Sequence, residues 1–322
     1  MRAAQVVTTT GPTDVTVTEV PQPTIGAGQL LVQVHSVGVS FPDLLMSKGE
    51  YQVKPELPFT LGVDFAGTVL DPGASSFEVG QRVASVGMGG AAEQAAALVD
   101  WTFPLPEEMT YDQGAALPMN YLTAQFALDL RGGLRAGETV LIHGAAGGLG
   151  TACVQVAKGM GARVIAGVST EAKALVARGG GADEAVLVDG FKDAVKELTA
   201  GQGVDVVVDI VGGEVFTDSL RCLAATGRLL VLGFASGQGI PQVKVNRLLL
   251  NNTDVRGVGW GEYAMMRPGF MQTQWEALVP MITSGAIRPP VGATYPLADY
   301  GRALVDLAER RATGKLVVRV RE

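Results

Sequence analysis

Thr139-Val140-Leu141-Ile142-His143-Gly144-Ala145-Ala146-Gly147-Gly148-Leu149-Gly150 is the stretch on which the fold of this 322-residue chain turns. Its first residues are apolar and β-branched without alternation, the pattern of a strand buried on both faces. The glycines that follow permit a sharp turn and a close approach to the backbone. Leu149 to Gly159 then has the period of an amphipathic helix. Strand, glycine turn and helix in this order make a dinucleotide phosphate site. The glycines leave room for a pyrophosphate, and the free N–H groups and positive dipole end of the helix face it. The expected contacts are Gly144, Ala146, Gly147, Gly148, Leu149 and Gly150.

The same rhythm continues downstream. Arg163–Val168 reads as a strand, Glu171–Arg178 as a helix, and Ala185–Val188, Val204–Asp209 and Arg228–Gly233 as further strands. Apolar strands between helices imply a parallel sheet covered on both faces, and residues 121–258 are assigned to it. The end of the second strand bears on which dinucleotide binds. An NAD site usually has Asp or Glu there for the ribose 2′-hydroxyl. Here the strand ends at Gly167 without an acid, and Ser169, Thr170 and Lys173 offer two hydroxyls and a positive charge to a 2′-phosphate. NADPH is therefore favoured over NADH, and Glu171 is read as favourable charge in a helix first turn.

Upstream, residues 1–120 hold short runs such as Thr16–Val20, Leu30–Val37, Phe65–Leu70 and Gly80–Val86, cut by turns such as Asp71-Pro72-Gly73. They read as a compact β-barrel-like domain. After residue 259 come helices near Gln274–Ser284 and Asp299–Arg311 and a strand from Lys315 to Val320, expected to rejoin that domain as residues 259–322. The net charge of −7 and the lack of a Lys/Arg cluster argue against a nucleic-acid partner. No uncharged apolar run reaches about 18 residues, so no membrane span is expected. With no signal peptide in view after Met1-Arg2, a cytoplasmic location is expected, with Cys153 and Cys222 as reduced, buried thiols on helices.

Several further stretches carry a resemblance. They are Gly38-Val39-Ser40-Phe41-Pro42-Asp43, Gly62-Val63-Asp64-Phe65-Ala66-Gly67, Gly80-Gln81-Arg82-Val83, Tyr121-Leu122-Thr123-Ala124, His143 to Gly150, Gly233-Phe234-Ala235-Ser236-Gly237 and Thr313-Gly314-Lys315. With them the chain resembles the medium-chain dehydrogenase/reductase superfamily, in its zinc-independent NADPH:quinone oxidoreductase branch. The resemblance implies an α/β fold, with a Rossmann doubly wound parallel sheet inserted into a GroES-like β-barrel domain and substrate bound between the two. Zinc-dependent relatives hold the catalytic metal with Cys, His and Cys. The matching positions here are Ser40, Val63 and Met119, none a good zinc ligand, so no metal is expected.

Without a Lewis acid, the workable chemistry is hydride transfer from nicotinamide to an electron-poor acceptor, a quinone or an α,β-unsaturated carbonyl. The expected catalytic residues are Tyr51, Ser40 and Asp43. Tyr51 is either a donor to the substrate oxygen or a packing residue. Ser40 stands where many relatives have Asn, near the nicotinamide. Asp43 either orients the nicotinamide edge or caps a helix. Cofactor contacts implied by the resemblance are Thr123 (carboxamide, or merely a helix start), Gly233, Phe234 and Ser236 in a loop after a strand, and Lys315. Two alternatives stand beside this reading: an enoyl-thioester reductase using Arg247, Arg256 and Arg267, and an NADPH-binding sensor or scaffold with little catalysis. A homodimer through the edge strand Thr253–Val258 is also expected.

Overall fold

A computed structural model describes residues 1–321; Glu322, the last residue assigned to the β domain, lies outside the described residues. The chain divides into two compact units.

The first to be considered is built on the opening stretch. Six parallel strands lie in the order Glu184–Leu187, Arg163–Val168, Thr139–His143, Val204–Asp209, Leu223–Val231, Asp254–Gly257. The strand order reverses between Thr139–His143 and Val204–Asp209. Ligands of doubly wound sheets bind at the carboxyl ends beside such a reversal. Val140, Leu141, Ile142, Val164, Ile165, Ala166, Val206, Val207 and Val208 are fully buried, which is why these strands show apolar runs and no alternation. The helices Gly148–Gly159, Glu171–Gly179, Phe191–Leu198 and Glu214–Cys222 follow their strands as crossovers. Both cysteines lie on these helices, buried and unbridged.

The second unit is mainly β. Gln29–Gly38 is its axis. It pairs along its length with Asp64–Asp71, by its first half with Gln94–Leu98, and by its last three residues with Lys315–Arg319. Val291–Pro296 extends the sheet at one end, and Arg82–Val86 and Thr102–Pro104 extend it at the other. A smaller sheet joins Thr16–Glu19, Arg2–Val6 and Phe59–Thr60. Leu30, Val32 and Val34 alternate with half-exposed neighbours, and they pack with Leu61, Phe65, Tyr300, Leu304 and Val318 into one core.

The return to this unit falls later than the expected residue 259. The β unit takes Met1–Asn120, Pro268–Trp275 and the chain from Pro289 onward, while Tyr121–Arg267 and Glu276–Arg288 stay with the parallel sheet. Side chains explain the correction. Tyr263 packs its ring on Phe126, 5.0 Å between centroids. Gln155 accepts a hydrogen bond from the Arg288 amide at 2.9 Å. Trp275, by contrast, stacks on Phe103 of the β unit at 4.7 Å. Among the described residues no helix is long and apolar enough to cross a membrane.

Candidate active site

In the parallel-sheet unit the glycine string forms a cradle. Gly144 takes a φ of +66°, and the Gly147 amide donates to the Gly144 carbonyl at 3.0 Å, closing the turn. Gly147 is the N-cap of the helix Gly148–Gly159 and no side chain caps it. The first-turn amides of Gly148, Leu149 and Gly150 are thus left to an outside acceptor, the arrangement that binds a phosphate. Gly150 sits so close to the turn that a Cβ would overlap the Gly144 carbonyl oxygen. Ala146, within the turn, is buried. The residues present therefore fit a dinucleotide pyrophosphate.

At the end of the neighbouring strand, Lys173 Nζ donates to Ser169 Oγ at 3.2 Å, both near the surface. Thr170 also has a local task. It is the N-cap of the helix Glu171–Gly179, and its Oγ1 accepts from the Lys173 amide at 3.3 Å. Gly167 also has a second reason to be glycine: a Cβ there would sit 2.7 Å from His143 Nδ1. That histidine is fully buried, its Nε2 2.8 Å from Ser219 Oγ, and burial pushes its pKa down to about 3. Its imidazole is neutral and belongs to the core of the unit.

The loop with Gly233, Phe234 and Ser236 is tied to the one after Val204–Asp209. The Ala235 amide donates to the Ile210 carbonyl at 3.1 Å and the Ser236 amide to the Val211 carbonyl at 2.8 Å. Asp209, which the sequence reading passed over, organises this corner: its Oδ1 accepts from the Val211 and Gly212 amides at 2.9 and 2.8 Å. Thr123 lies inside the helix Pro118–Gln125, half-buried, so it does not start that helix.

The expected residues of the β unit converge on a buried polar cluster. Lys315, expected at the cofactor, turns inward. Its Nζ donates to Asp64 Oδ2 and to Ser40 Oγ, each at 2.7 Å, with only 4% of its surface exposed. Gly38 makes this possible, because a Cβ there would lie 2.6 Å from Lys315 Cε and overlap the Ala115 carbonyl oxygen. Asp64 has no exposed surface and accepts from the Met119 amide through Oδ1 at 2.8 Å. Burial raises its pKa, and the Lys315 charge opposes that rise. Asp43 is buried too. It takes the capping role, accepting from the Ser40 amide at 3.2 Å and from the Gly62 amide at 2.8 Å. Burial pushes its pKa up to about 7, against the Gly62 hydrogen bond and the Lys315 charge. Tyr51 packs half-buried on the barrel core, and burial followed by the Asp43 charge raises its phenol. Tyr300, absent from the sequence reading, is fully buried; burial and then Asp43 push its phenol well above the ordinary range.

The three positions that match zinc ligands in zinc-dependent relatives meet around Asp64. Ser40 touches it through its hydroxyl, Met119 through its amide, and Val63 is its neighbour in sequence. Among the described residues no three His, Cys, Asp or Glu side chains come together as a metal would require. One signal in the sequence pointed to Asp64: a lone carboxylate in the apolar run Gly62-Val63-Asp64-Phe65-Ala66.

Comparison with known proteins agrees with this geometry. Residues 26–107 match the alcohol dehydrogenase GroES-like domain and residues 148–284 the zinc-binding dehydrogenase domain. The chain is 38% identical over 309 residues to quinone oxidoreductase-like protein 2 of Rattus norvegicus, covering 94% of this chain and 88% of that protein. A probable oxidoreductase from Mycobacterium abscessus superposes with a TM-score of 0.90 at 42% identity, over 99% of this chain and 98% of that one. The Escherichia coli quinone oxidoreductase complexed with NADPH superposes with a TM-score of 0.89 at 27% identity, over 99% and 100%.

Proposed function

Because the chain belongs to the zinc-independent quinone oxidoreductase branch of the medium-chain dehydrogenase/reductase superfamily, we propose that it transfers hydride from NADPH to a quinone or an α,β-unsaturated carbonyl compound. The observation that carries this reading is the pairing, in one unit, of an uncapped helix N-terminus with an exposed cation–hydroxyl pair one strand away. The nicotinamide supplies the hydride. Gly148, Leu149 and Gly150 hold the pyrophosphate by their amides. Lys173 and Ser169 take the 2′-phosphate, where a charged hydrogen bond contributes roughly 1.5–3 kcal/mol. Phe234 and Ser236 border the cofactor from the adjoining strand end. In the β unit, Ser40 and Tyr51 are the candidate catalytic residues, and Asp43 holds the start of the helix Phe41–Ser47 that has Ser40 as its N-cap.

Nothing specific favours a thioester substrate. Arg256 is spent on Asp254 and the Arg131 carbonyl, and Arg267 lies over the Tyr263 ring. We also propose a homodimer. The edge strand Asp254–Gly257 pairs on one side only, and Val245, Leu249 and Leu250 next to it are more than 70% exposed. Sedimentation as a monomer at micromolar concentration would break that proposal.

The deciding experiment follows NADPH and NADH oxidation with a quinone and an enone, in wild type and Lys173→Ala. Turnover is expected with NADPH. In the variant the NADPH KM should rise roughly tenfold to hundredfold while the NADH KM stays put. Tight NADPH binding without turnover would instead leave a binding protein, and equal losses with both cofactors would remove Lys173 from the 2′-phosphate site.

A further inference from the structure

A cleft of about 780 Å³ in the β unit is lined by residues of that unit alone. This size falls in the range of small-ligand sites. His35 of the strand Gln29–Gly38 lines it, together with Arg2, the turn that follows Val291–Pro296, and residues 319–321. Three arginines, Arg2, Arg319 and Arg321, face one carboxylate on its walls, Glu93, in a chain whose net charge is −7. Two of the three are fixed by carboxylates. Arg2 donates from Nε to Glu93 Oε1 at 2.9 Å, and its amide donates to Oε2 at 3.0 Å. Arg319 donates from Nε and Nη2 to Asp112 Oδ2 at 2.9 and 2.7 Å, while Ser36 Oγ holds Oδ1 of that carboxylate at 2.6 Å. Among the described residues, the Arg2 Nη atoms, Arg319 Nη1 and the Arg321 guanidinium donate no hydrogen bond. The cleft is also held in shape. His35 stacks on Tyr111 at 4.1 Å between centroids, and the Val320 amide donates to the His35 carbonyl at 2.9 Å.

We propose that this cleft binds a small phosphate monoester, with Arg2, Arg319 and Arg321 taking its dianionic phosphate. Guanidinium groups already held by a carboxylate lose little freedom when they bind, and their planar N–H forks match phosphate oxygens. A concave site lined by one sign of charge also concentrates its potential. Three guanidinium groups from separate segments suit a group with three oxygens and two charges better than a carboxylate with two oxygens and one. Pro296, Leu297 and Val320 offer apolar surface to the organic part of the ester. None of these residues belongs to the parallel-sheet unit that carries the glycine cradle, and hydride transfer uses none of them. The cleft is therefore additional to the cofactor site, and the inference stands apart from the reductase reading. Its effect should be visible at His35. Burial, and then the Arg321 and Arg82 charges, hold that imidazole below its ordinary pKa. A dianion beside Arg321 offsets the second of these causes, so binding should raise it.

Phenyl phosphate is the probe, and NMR of isotope-labelled histidine reads its binding. The chain has two histidines. His35 lines the cleft, whereas His143 is fully buried in the other unit and serves as internal control. With NADP+ present to occupy the cradle, the His35 signal should move saturably with a Kd below about 1 mM. Its pKa should rise, and His143 should stay still. Arg321→Gln and Arg2→Gln, both at exposed positions, should each raise that Kd roughly tenfold or more, the loss of a charged hydrogen bond. Arg221→Gln removes an exposed, ion-paired arginine of the parallel-sheet unit and should leave the Kd within about twofold. Benzoate should bind about tenfold more weakly than phenyl phosphate, or worse. A His35 signal that does not saturate, a Kd that Arg321→Gln and Arg2→Gln leave unchanged, an equal loss in Arg221→Gln, or benzoate binding as tightly as phenyl phosphate would each overturn the proposal.

Discussion

The two polar regions of this chain are built on opposite plans. The glycine cradle at 144–150 presents backbone amides with no side chain to satisfy them; its charge must come from a ligand. In the cluster of Ser40, Asp43, Asp64 and Lys315 the ammonium donates to Asp64 and Ser40, and Asp43 accepts from the Ser40 and Gly62 amides, all out of water. One region is incomplete until something binds. The other is complete beforehand and holds a charge arrangement in place. Backbone amides make up the first region, and charged side chains lie at the heart of the second. Perturbing them should have different signatures: lost affinity in the cradle, lost stability in the cluster.

Asp64→Ala should have the largest effect. It leaves the Lys315 ammonium buried with no counter-charge, and breaking such a pair costs about 3–5 kcal/mol. Urea unfolding of the protein without ligand reads this directly, and adding Lys315→Met to the same chain should recover much of the loss. A change below about 1 kcal/mol would mean that the pair behaves as a surface ion pair, and the contrast between the regions would fail.

Gly150→Ala is the matching change in the cradle. The new methyl overlaps the Gly144 carbonyl, so helix and turn must separate. The phosphate then loses aligned amides, and NADPH affinity should fall by roughly 1.5–3 kcal/mol, the worth of a hydrogen bond to a charged group. Calorimetric titration measures it. Undiminished NADPH affinity would show that the phosphate does not lie on this helix.

The same contrast explains what could be read in advance. The cradle is local: twelve consecutive residues spell strand, turn and helix, and the apolar runs that follow spell a parallel sheet. The cluster joins the local stretch 38–43 to residues 64, 119 and 315, and no local pattern connects these distant parts. Lys315 reads as the start of a strand and a cofactor contact, whereas the space over Gly38 lets that lysine turn inward. Asp43 was legible as either cap or site residue because Ser40-Phe41-Pro42-Asp43 has the spacing of a helix start. The late return of the chain to the β unit was hidden for a related reason. It depends on rings and amides, Tyr263 on Phe126 and Arg288 on Gln155, that meet only in the fold.

The comparison sharpens further through pH. Asp43 titrates at about 7 in the folded chain against an ordinary 3.8. Burial is the leading cause, and the nearby Asp64 charge adds to it. Between those values the folded state holds a proton that the unfolded state has released. Stability from this group is therefore full below the unfolded pKa and is lost as pH rises through the folded one. Asp43→Asn carries no titrating group, but its amide cannot accept from both the Ser40 and Gly62 amides, so the variant is weaker at every pH. The slope is the observable, not the level. Measured from about pH 4 to about pH 8, wild type should lose stability relative to Asp43→Asn, with the difference levelling off above the folded pKa. A difference that stays flat would mean that Asp43 is ionised throughout, its charge carried by Lys315 as fully as that of Asp64. The cluster would then be a shared ammonium between two carboxylates.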